Sequence, residues 1–406
     1  MTPITRRAAL GALAVAPLAR PALVRAQSSS KPVKIGLLSD MGGPYRAVGG
    51  PGMKVATEMA IADFGGSVLG RPIQVLQADD QNKPDVASSI ARQWVDDNGV
   101  DVLADGAATK SGLAIQEISR QKKVVYLCTG PAAADFTGKD CSPLGFHFSY
   151  DTYALAKSTG GALTRAGGKT WFFITVDYEF GYSLQNNTTR FINQAGGKVL
   201  GSVRAPLGTS DFSSYLIQAK ASGAQVIGFA NAGTDLQNCI KQAAEFGIVK
   251  GGQRLATLLM FITDVASIGQ NICQGLVLTN SFYWNMNDST RAWAKRYEAK
   301  MHDVPCMLQA GGYSAAYHWL KAVKAAGTTD GMAVAAKMHA LPVNDFYNAN
   351  VAIQPNGRVL ETMFLWQVKP PSSHQVKYDF YKHLATTPGI DAFENPADTG
   401  CKLVHS

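Results

Sequence analysis

The sequence predicts an α/β protein of two lobes, each built on a mostly parallel sheet, and three observations carry that prediction. Short apolar strands alternate with helical stretches twice over, from Lys31 to about Tyr150 and again after it, which is the rhythm of βαβ units. At 406 residues the chain is longer than most single domains, so two cores are the default. Loops crowded with small residues follow the strands, and in open α/β sheets ligands bind outside the carboxyl ends of strands.

The first segment, MTPITRRAALGALAVAPLARPALVRAQ, has the layout of an export signal: Arg6 and Arg7, an apolar stretch from Ala8 to Ala19, then Val24-Arg25-Ala26 before Gln27. Its apolar part is 12 residues, well short of the roughly 20 that span a bilayer. Cleavage is expected near Ala26. Thr5-Arg6-Arg7 resembles a twin-arginine address, with Ala9 where such signals often carry Phe; an ordinary secretory signal is the alternative. Loss of Arg6, Arg7, Arg20 and Arg25 leaves 34 basic and 30 acidic residues, a charge of +4 that gives no case for nucleic-acid binding. With 46% hydrophobic and 17% charged residues the whole chain reads as globular.

Val33 to Leu38 is a continuous apolar run with no helical period, which suits a strand covered on both faces. It breaks into a loop holding Gly42, Gly43, Gly49, Gly50 and Gly52, with Tyr45 and Arg46 among them, and a helix is expected over Met53 to Phe64. Strands follow at Ile73 to Ala78, Val100 to Ala104 and Val124 to Leu127, separated by helices over Ala87 to Asn98 and Ser111 to Lys122. The second series has strands at Trp171 to Val176, Val199 to Arg204, Val226 to Ala230 and Arg254 to Leu259. Its helices run over Tyr153 to Arg165, Tyr182 to Gln194, Phe212 to Ala221 and Asp235 to Phe246, with glycines at their exits. In the final third a strand is expected at Gly275 to Leu278, then helices over Asp288 to His302, Gly312 to Ala326 and Gly331 to Leu341. Asn350 to Gln354 and Val359 to Val368 flank Pro355-Asn356-Gly357 and read as a hairpin. The proline-rich stretch from Lys369 has little periodicity and reads as a surface tail held through Cys401.

Several chemistries are excluded by spacing. The glycines after the first strand do not make G-x-G-x-x-G, and Pro44 and Pro51 remove amides that a pyrophosphate needs. Gly168-Lys169-Thr170 lacks the first glycine of a phosphate loop, where Leu163 stands, and precedes a strand instead of following one. Neither G-x-S-x-G nor H-E-x-x-H occurs, and the seven histidines have no partner pattern. No C-x-x-C or zinc spacing is present, so no metal or cofactor is expected and the protein does not read as an enzyme. Six cysteines in an exported chain suggest disulfides, with fifteen full connectivities open.

Small and hydroxyl-bearing loops recur at strand ends instead. Asp105-Gly-Ala-Ala-Thr-Lys-Ser111 opens one helix, and Cys128-Thr-Gly-Pro-Ala-Ala-Ala134 follows the fourth strand. Exposed amides before a helix make a carboxylate site that needs no arginine. Asp177-Tyr-Glu-Phe-Gly-Tyr182 and Phe229-Ala-Asn-Ala-Gly-Thr234 hold the equivalent places in the second lobe.

On these residues the chain resembles periplasmic solute-binding proteins of ABC transporters, in the branch that includes the leucine/isoleucine/valine-binding proteins. The likeness is carried by VKIGLLSDMGGPYRAVG at the first strand, Asp79-Asp80, Asp177-Tyr-Glu-Phe-Gly181 and Ile240-Lys-Gln-Ala-Ala-Glu-Phe-Gly247. The resemblance implies a type I periplasmic binding fold: two Rossmann-like lobes with mostly parallel sheets joined by a three-segment hinge, placed near Phe148 to Asp151, Leu278 to Phe282 and Gln354 to Val359. Residues 1–26 then form the signal, 32–149 with 282–354 lobe one, 150–281 with 355–368 lobe two, and 369–406 a C-terminal tail. A monomer in the periplasm would close on a small-molecule solute and dock on an ABC permease of the inner membrane.

Carried over position by position, the resemblance puts Ala108, Thr109 and Ser111, with Gly130 and Ala132, where amides and hydroxyls hold a solute's carboxylate. Tyr178 and Phe180 fall at an aromatic cover, and Ala232 where an aromatic is common. Tyr45, Arg46, Tyr150, Tyr283 and Trp284 are further cleft candidates from their loops. The acid that pairs with an amino acid's ammonium is implied near Leu258 to Phe261, a stretch that is entirely apolar here, leaving Asp264 or Asp177 as substitutes. A buried ammonium without a carboxylate is costly. The expected solute is therefore a small organic acid, aromatic ones included, with an amino acid as the alternative. An exported enzyme on a similar scaffold and a ligand-sensing regulatory subunit are the other function classes.

Overall fold

A computed structural model describes residues 31–373 and 376–404; the export signal lies outside them. The apolar runs assemble into three sheets. The first joins β1 (Val33–Ser39), β2 (Ser67–Val68), β3 (Arg71–Asp79), β4 (Val102–Asp105), β5 (Val125–Cys128) and β6 (Gly145–His147) in the order β2-β3-β1-β4-β5-β6. All its pairs are parallel except β2 with β3. The second joins β7 (Thr170–Val176), β8 (Lys198–Ala205), β9 (Val226–Ala230) and β10 (Arg254–Thr257) in the parallel order β10-β9-β7-β8. The third is antiparallel, with β12 (Met363–Val368) between β11 (Val277–Asn280) and β13 (Tyr381–Thr387).

Strand order decides where a ligand can enter. In the first sheet β1 is flanked by β3 and β4, and in the second β7 is flanked by β9 and β8. The chain therefore leaves each central strand in opposite directions, and a crevice opens outside the carboxyl ends there. The loops after β1, β4 and β5 on one side face those after β7 and β9 on the other.

The helices follow the expected stretches and mostly start earlier, because their first turns hold polar or small residues outside the apolar period. Pro51–Phe64, Pro84–Asp96 and Thr109–Lys122 cover the first sheet, and Glu179–Gln194, Ser213–Ala221 and Thr234–Glu245 the second. Thr152 to Arg165 is one helical run interrupted by a π turn at Ala156–Gly160. Met307–Ala326 begins well before the expected Gly312, where the Gln309 side chain accepts from the Cys306 amide at 2.8 Å. Buried Trp171, Phe173 and Phe229 fill the core of the second sheet, and Val33, Ile35, Val102 and Val125 lie in that of the first.

Two expectations are corrected. The hairpin at Pro355-Asn356-Gly357 keeps its turn but only the Ile353–Val359 bridge of its ladder. The second arm is drawn elsewhere: Gly357 accepts from the His147 amide at 2.9 Å and Val359 donates to His147 at 3.1 Å, which adds Arg358 in parallel to β6. Gly357 has φ +87°, and a Cβ there would lie 2.0 Å from the Gly145 carbonyl, so only glycine allows that approach. The segment from Lys369 is more than a tail, because β13 completes the third sheet through six residues of register with β12. Beyond it Cys401 is joined to Cys141, while Cys128, Cys239, Cys273 and Cys306 are free and buried.

Candidate functional site

Where the facing loops meet they enclose a small cavity of about 20 Å³. Its floor on the first side is made by Tyr45 and Val48, by Ala107 and Thr109, and by Gly130 and Ala132; its opposite wall holds Tyr178, Phe180, Ala232, Leu259 and Phe261. Tyr150 and Leu308 complete the lining. With the two sides in contact that space is about the room of one water, so a solute enters only when they part.

The loops are placed by their own hydrogen bonds. Asp40 accepts from the amide of Gly42 at 3.2 Å and that of Tyr45 at 2.8 Å, and from Asn82 Nδ2 at 2.7 Å, which fixes the turn that presents Tyr45. Thr109 Oγ1 accepts from the Ala132 amide at 3.2 Å, and Tyr150 donates to the Gly130 carbonyl at 2.7 Å. The helix Thr109–Lys122 starts at Ala108, whose side chain offers no cap. Its first amides therefore have no side-chain acceptor from the N-cap, and the positive end of the helix dipole lies beside lining residues Ala107 and Thr109.

The two sides are closed on each other. Tyr45 and Tyr178 share a hydrogen bond of 2.7 Å between their hydroxyls, and both are buried. Burial pushes both hydroxyls above the ordinary tyrosine range, so they stay neutral. The Thr234 amide donates to the Pro44 carbonyl at 3.2 Å, and Lys110 Nζ lies 5.4 Å from the Tyr178 ring centre. Gly233, at φ +61°, makes this approach possible, since a Cβ there would be 2.3 Å from the Pro44 oxygen.

No charged side chain lines the cavity. The acids that could meet an ammonium from the second side are engaged elsewhere. Asp264 accepts from the Phe261 amide and from Gln237 Nε2, both at 2.8 Å, and burial holds its carboxyl at about 6. Asp235 accepts from the Gly208 amide and is pushed by burial to about 7. Asp177 accepts from the Tyr182 hydroxyl at 2.6 Å on the surface.

Of the residues expected from sequence, the structure brings Tyr45, Thr109, Gly130, Ala132, Tyr150, Tyr178, Phe180 and Ala232 together around the cavity. Ala108 is buried just behind the wall, where Ala107 takes the lining position, and Ser111 is buried outside the lining with its hydroxyl unpartnered. Arg46 is exposed and outside the lining. Tyr283 and Trp284 pack on the third sheet, donating to Asp379 and to the Tyr378 carbonyl. Val48, Ala107 and Leu308 were not anticipated; the first two sit beside named residues, and Leu308 lies in the unforeseen first turn of its helix.

The sequence matches the profile of the family described as periplasmic binding protein over residues 32–375. The chain belongs to the periplasmic binding protein family. Among its relatives is a Leu/Ile/Val-binding protein homolog of Brucella melitensis, 28% identical over 288 residues, covering 70% of this chain and 71% of that protein. The crystal structure of a periplasmic binding protein from Burkholderia mallei is 48% identical, with a TM-score of 0.89 over 92% of this chain and 99% of that one. A branched chain amino acid ABC transporter periplasmic ligand-binding protein from Burkholderia xenovorans is 39% identical, with a TM-score of 0.81 over 91% and 99% of the two chains. At 22% identity and a TM-score of 0.79, over 90% of this chain and 99% of that one, a solute binding protein from Rhodopseudomonas palustris holding 3,4-dihydroxybenzoic acid shares the fold. As a periplasmic binding protein the chain is an ABC transporter's solute-binding component. Its relatives are solute-binding proteins, not enzymes. No helix among the described residues is long and apolar enough to cross a membrane.

Proposed function

We propose that this periplasmic binding protein closes on a small organic acid and delivers it to its permease as a monomer, without turning it over. The carboxylate sits on the uncapped amides at the start of Thr109–Lys122 and on the Gly130 to Ala132 loop, and the apolar body lies against Tyr45, Phe180, Leu259 and Phe261. Residues 32–149 with 282–354 and residues 150–281 with 355–368 move as the two lobes, and residues 1–26 direct export, by the twin-arginine or the general route. The solute stabilises the closed state by touching both lobes at once.

The observation that carries this reading is the uncharged lining: helix amides meet an anion, and no free carboxylate meets an ammonium. An α-amino acid is the second reading, favoured by the branched-chain name of the Burkholderia xenovorans relative. A thermal-shift screen of benzoate-type acids, aliphatic acids and amino acids tests the choice, with mass spectrometry of solute retained on native purification. Stabilisation by α-amino acids alone overturns the organic-acid reading.

A further inference from the structure

Asp105 ends β4 beneath the cavity and is not part of its lining. Its backbone is left-handed, φ +63°, a conformation unusual for a residue with a side chain. That turn sends the carboxyl inward, where it is 1% exposed. Oδ1 accepts from Thr129 Oγ1 and from the Gly130 amide, both at 3.1 Å, so one oxygen holds the loop after β5 to the loop after β4. Oδ2 is buried with no partner. Asp105 also borders a second, very small cavity of about 10 Å³, whose wall is Ile35, Leu37, Met53, Ala104 and Leu127, with Gly312, Ala315 and Ala316 beyond.

The groups facing it are Asp80 at the end of β3, Asp40 in the loop after β1, Tyr126 and Cys128 on β5, and Tyr150. The neighbouring helices Pro51–Phe64 and Met307–Ala326 present Met53, Thr57 and small residues there. No base is among these groups. An ionised carboxylate would leave a bare oxygen in an apolar wall beside two further carboxylates, and it would set a negative charge behind the solute's own.

We propose that Asp105 is a positioning residue that works as a neutral carboxylic acid, tying two solute-facing loops together while presenting no charge to an anionic solute. Burial, with Asp80 and Asp40 adding to it, pushes its carboxyl well above the usual range. The inference rests on the carboxylate reading of the site for its purpose, and on Thr129, Gly130 and the unpartnered oxygen for its geometry.

The test compares the wild type with Asp105→Asn and Asp105→Ala. Without solute, melting is followed from about pH 5 to about pH 9. A neutral buried acid gives up its proton on unfolding, so the melting temperature of Asp105→Asn rises relative to the wild type as pH rises. Asp80, held at about 6, titrates in both proteins and cancels. Exchange of the Gly130 amide stays slow in the wild type and Asp105→Asn and becomes at least about tenfold faster in Asp105→Ala. Benzoate binds Asp105→Asn within about threefold of wild type and Asp105→Ala at least about tenfold more weakly. A melting difference that is flat in pH, or a Gly130 amide equally protected in the alanine variant, overturns the proposal. Should Asp105→Asn fail to fold, carbon-13 carboxyl NMR of the wild type decides, and an Asp105 resonance titrating below about pH 5 overturns it. Benzoate binding to none of the proteins counts against the organic-acid reading, while melting and exchange still decide Asp105.

Discussion

The tyrosine pair across the cavity is a single side-chain contact that exists only when the two sides meet. Replacing Tyr178 by Phe keeps the apolar wall and removes the 2.7 Å bond to Tyr45. Titration calorimetry is expected to show about fivefold weaker binding, the effect of losing about 1 kcal/mol of closed-state stabilisation. Gly233→Ala places a methyl against the Pro44 oxygen, and affinity is expected to fall by at least about tenfold, with a lower melting temperature as well because the φ of +61° strains any side chain. Arg46→Ala is expected to leave affinity within about twofold, because the side chain is exposed outside the lining. These residues also mark how far the site was legible. Tyr45 and Tyr178 were recognisable as aromatics in loops at strand ends. Arg46, one position along, looked equally well placed, and what separates them is the Asp40 turn that aims one side chain inward and leaves the other out. That turn depends on Asn82, 42 residues away, which no local pattern reveals.

At the scale of elements, parallel strands were legible because both faces are covered and the runs are continuously apolar. β13 was missed for the opposite reason: Lys382, His383 and Thr387 leave no run, and the strand exists through pairing with β12. The hairpin failed because the backbone after Gly357 pairs with His147, across more than 200 residues. The same segment carries Arg358 and Glu361 into the interior, where Arg358 donates to the Tyr150 carbonyl at 2.9 Å and lies 3.8 Å from Asp151. Burial raises the Glu361 carboxyl to about 7. Because the folded state holds that proton more tightly than the unfolded chain, Glu361 costs nothing below about pH 4, and its penalty grows until about pH 7. Glu361→Gln is therefore expected to gain on the wild type by up to about 3 kcal/mol between pH 5 and pH 8, read from urea unfolding at each pH.

At the scale of the whole molecule, the segment beyond β13 binds both sides of the crevice. Lys157 and Arg190, on helices beside the second sheet, hold the Asp391 carbonyl and Glu394, while Phe393 stacks under Arg358 at 4.3 Å. Cys401 then reaches Cys141, ahead of β6 in the first sheet. Removing that bond with Cys401→Ser is expected to lower unfolding free energy by about 2–4 kcal/mol, measured by denaturant titration under oxidising conditions. Mechanically, the segment is a check strap: a further passage of chain between the two sides of the crevice, closed by a covalent link. A strap of fixed length caps how far the halves swing apart, and a shorter swing leaves less conformational freedom for a solute to remove. Spin labels on opposite walls of the crevice are accordingly expected to report wider and more scattered distances in the solute-free protein once the strap is cut.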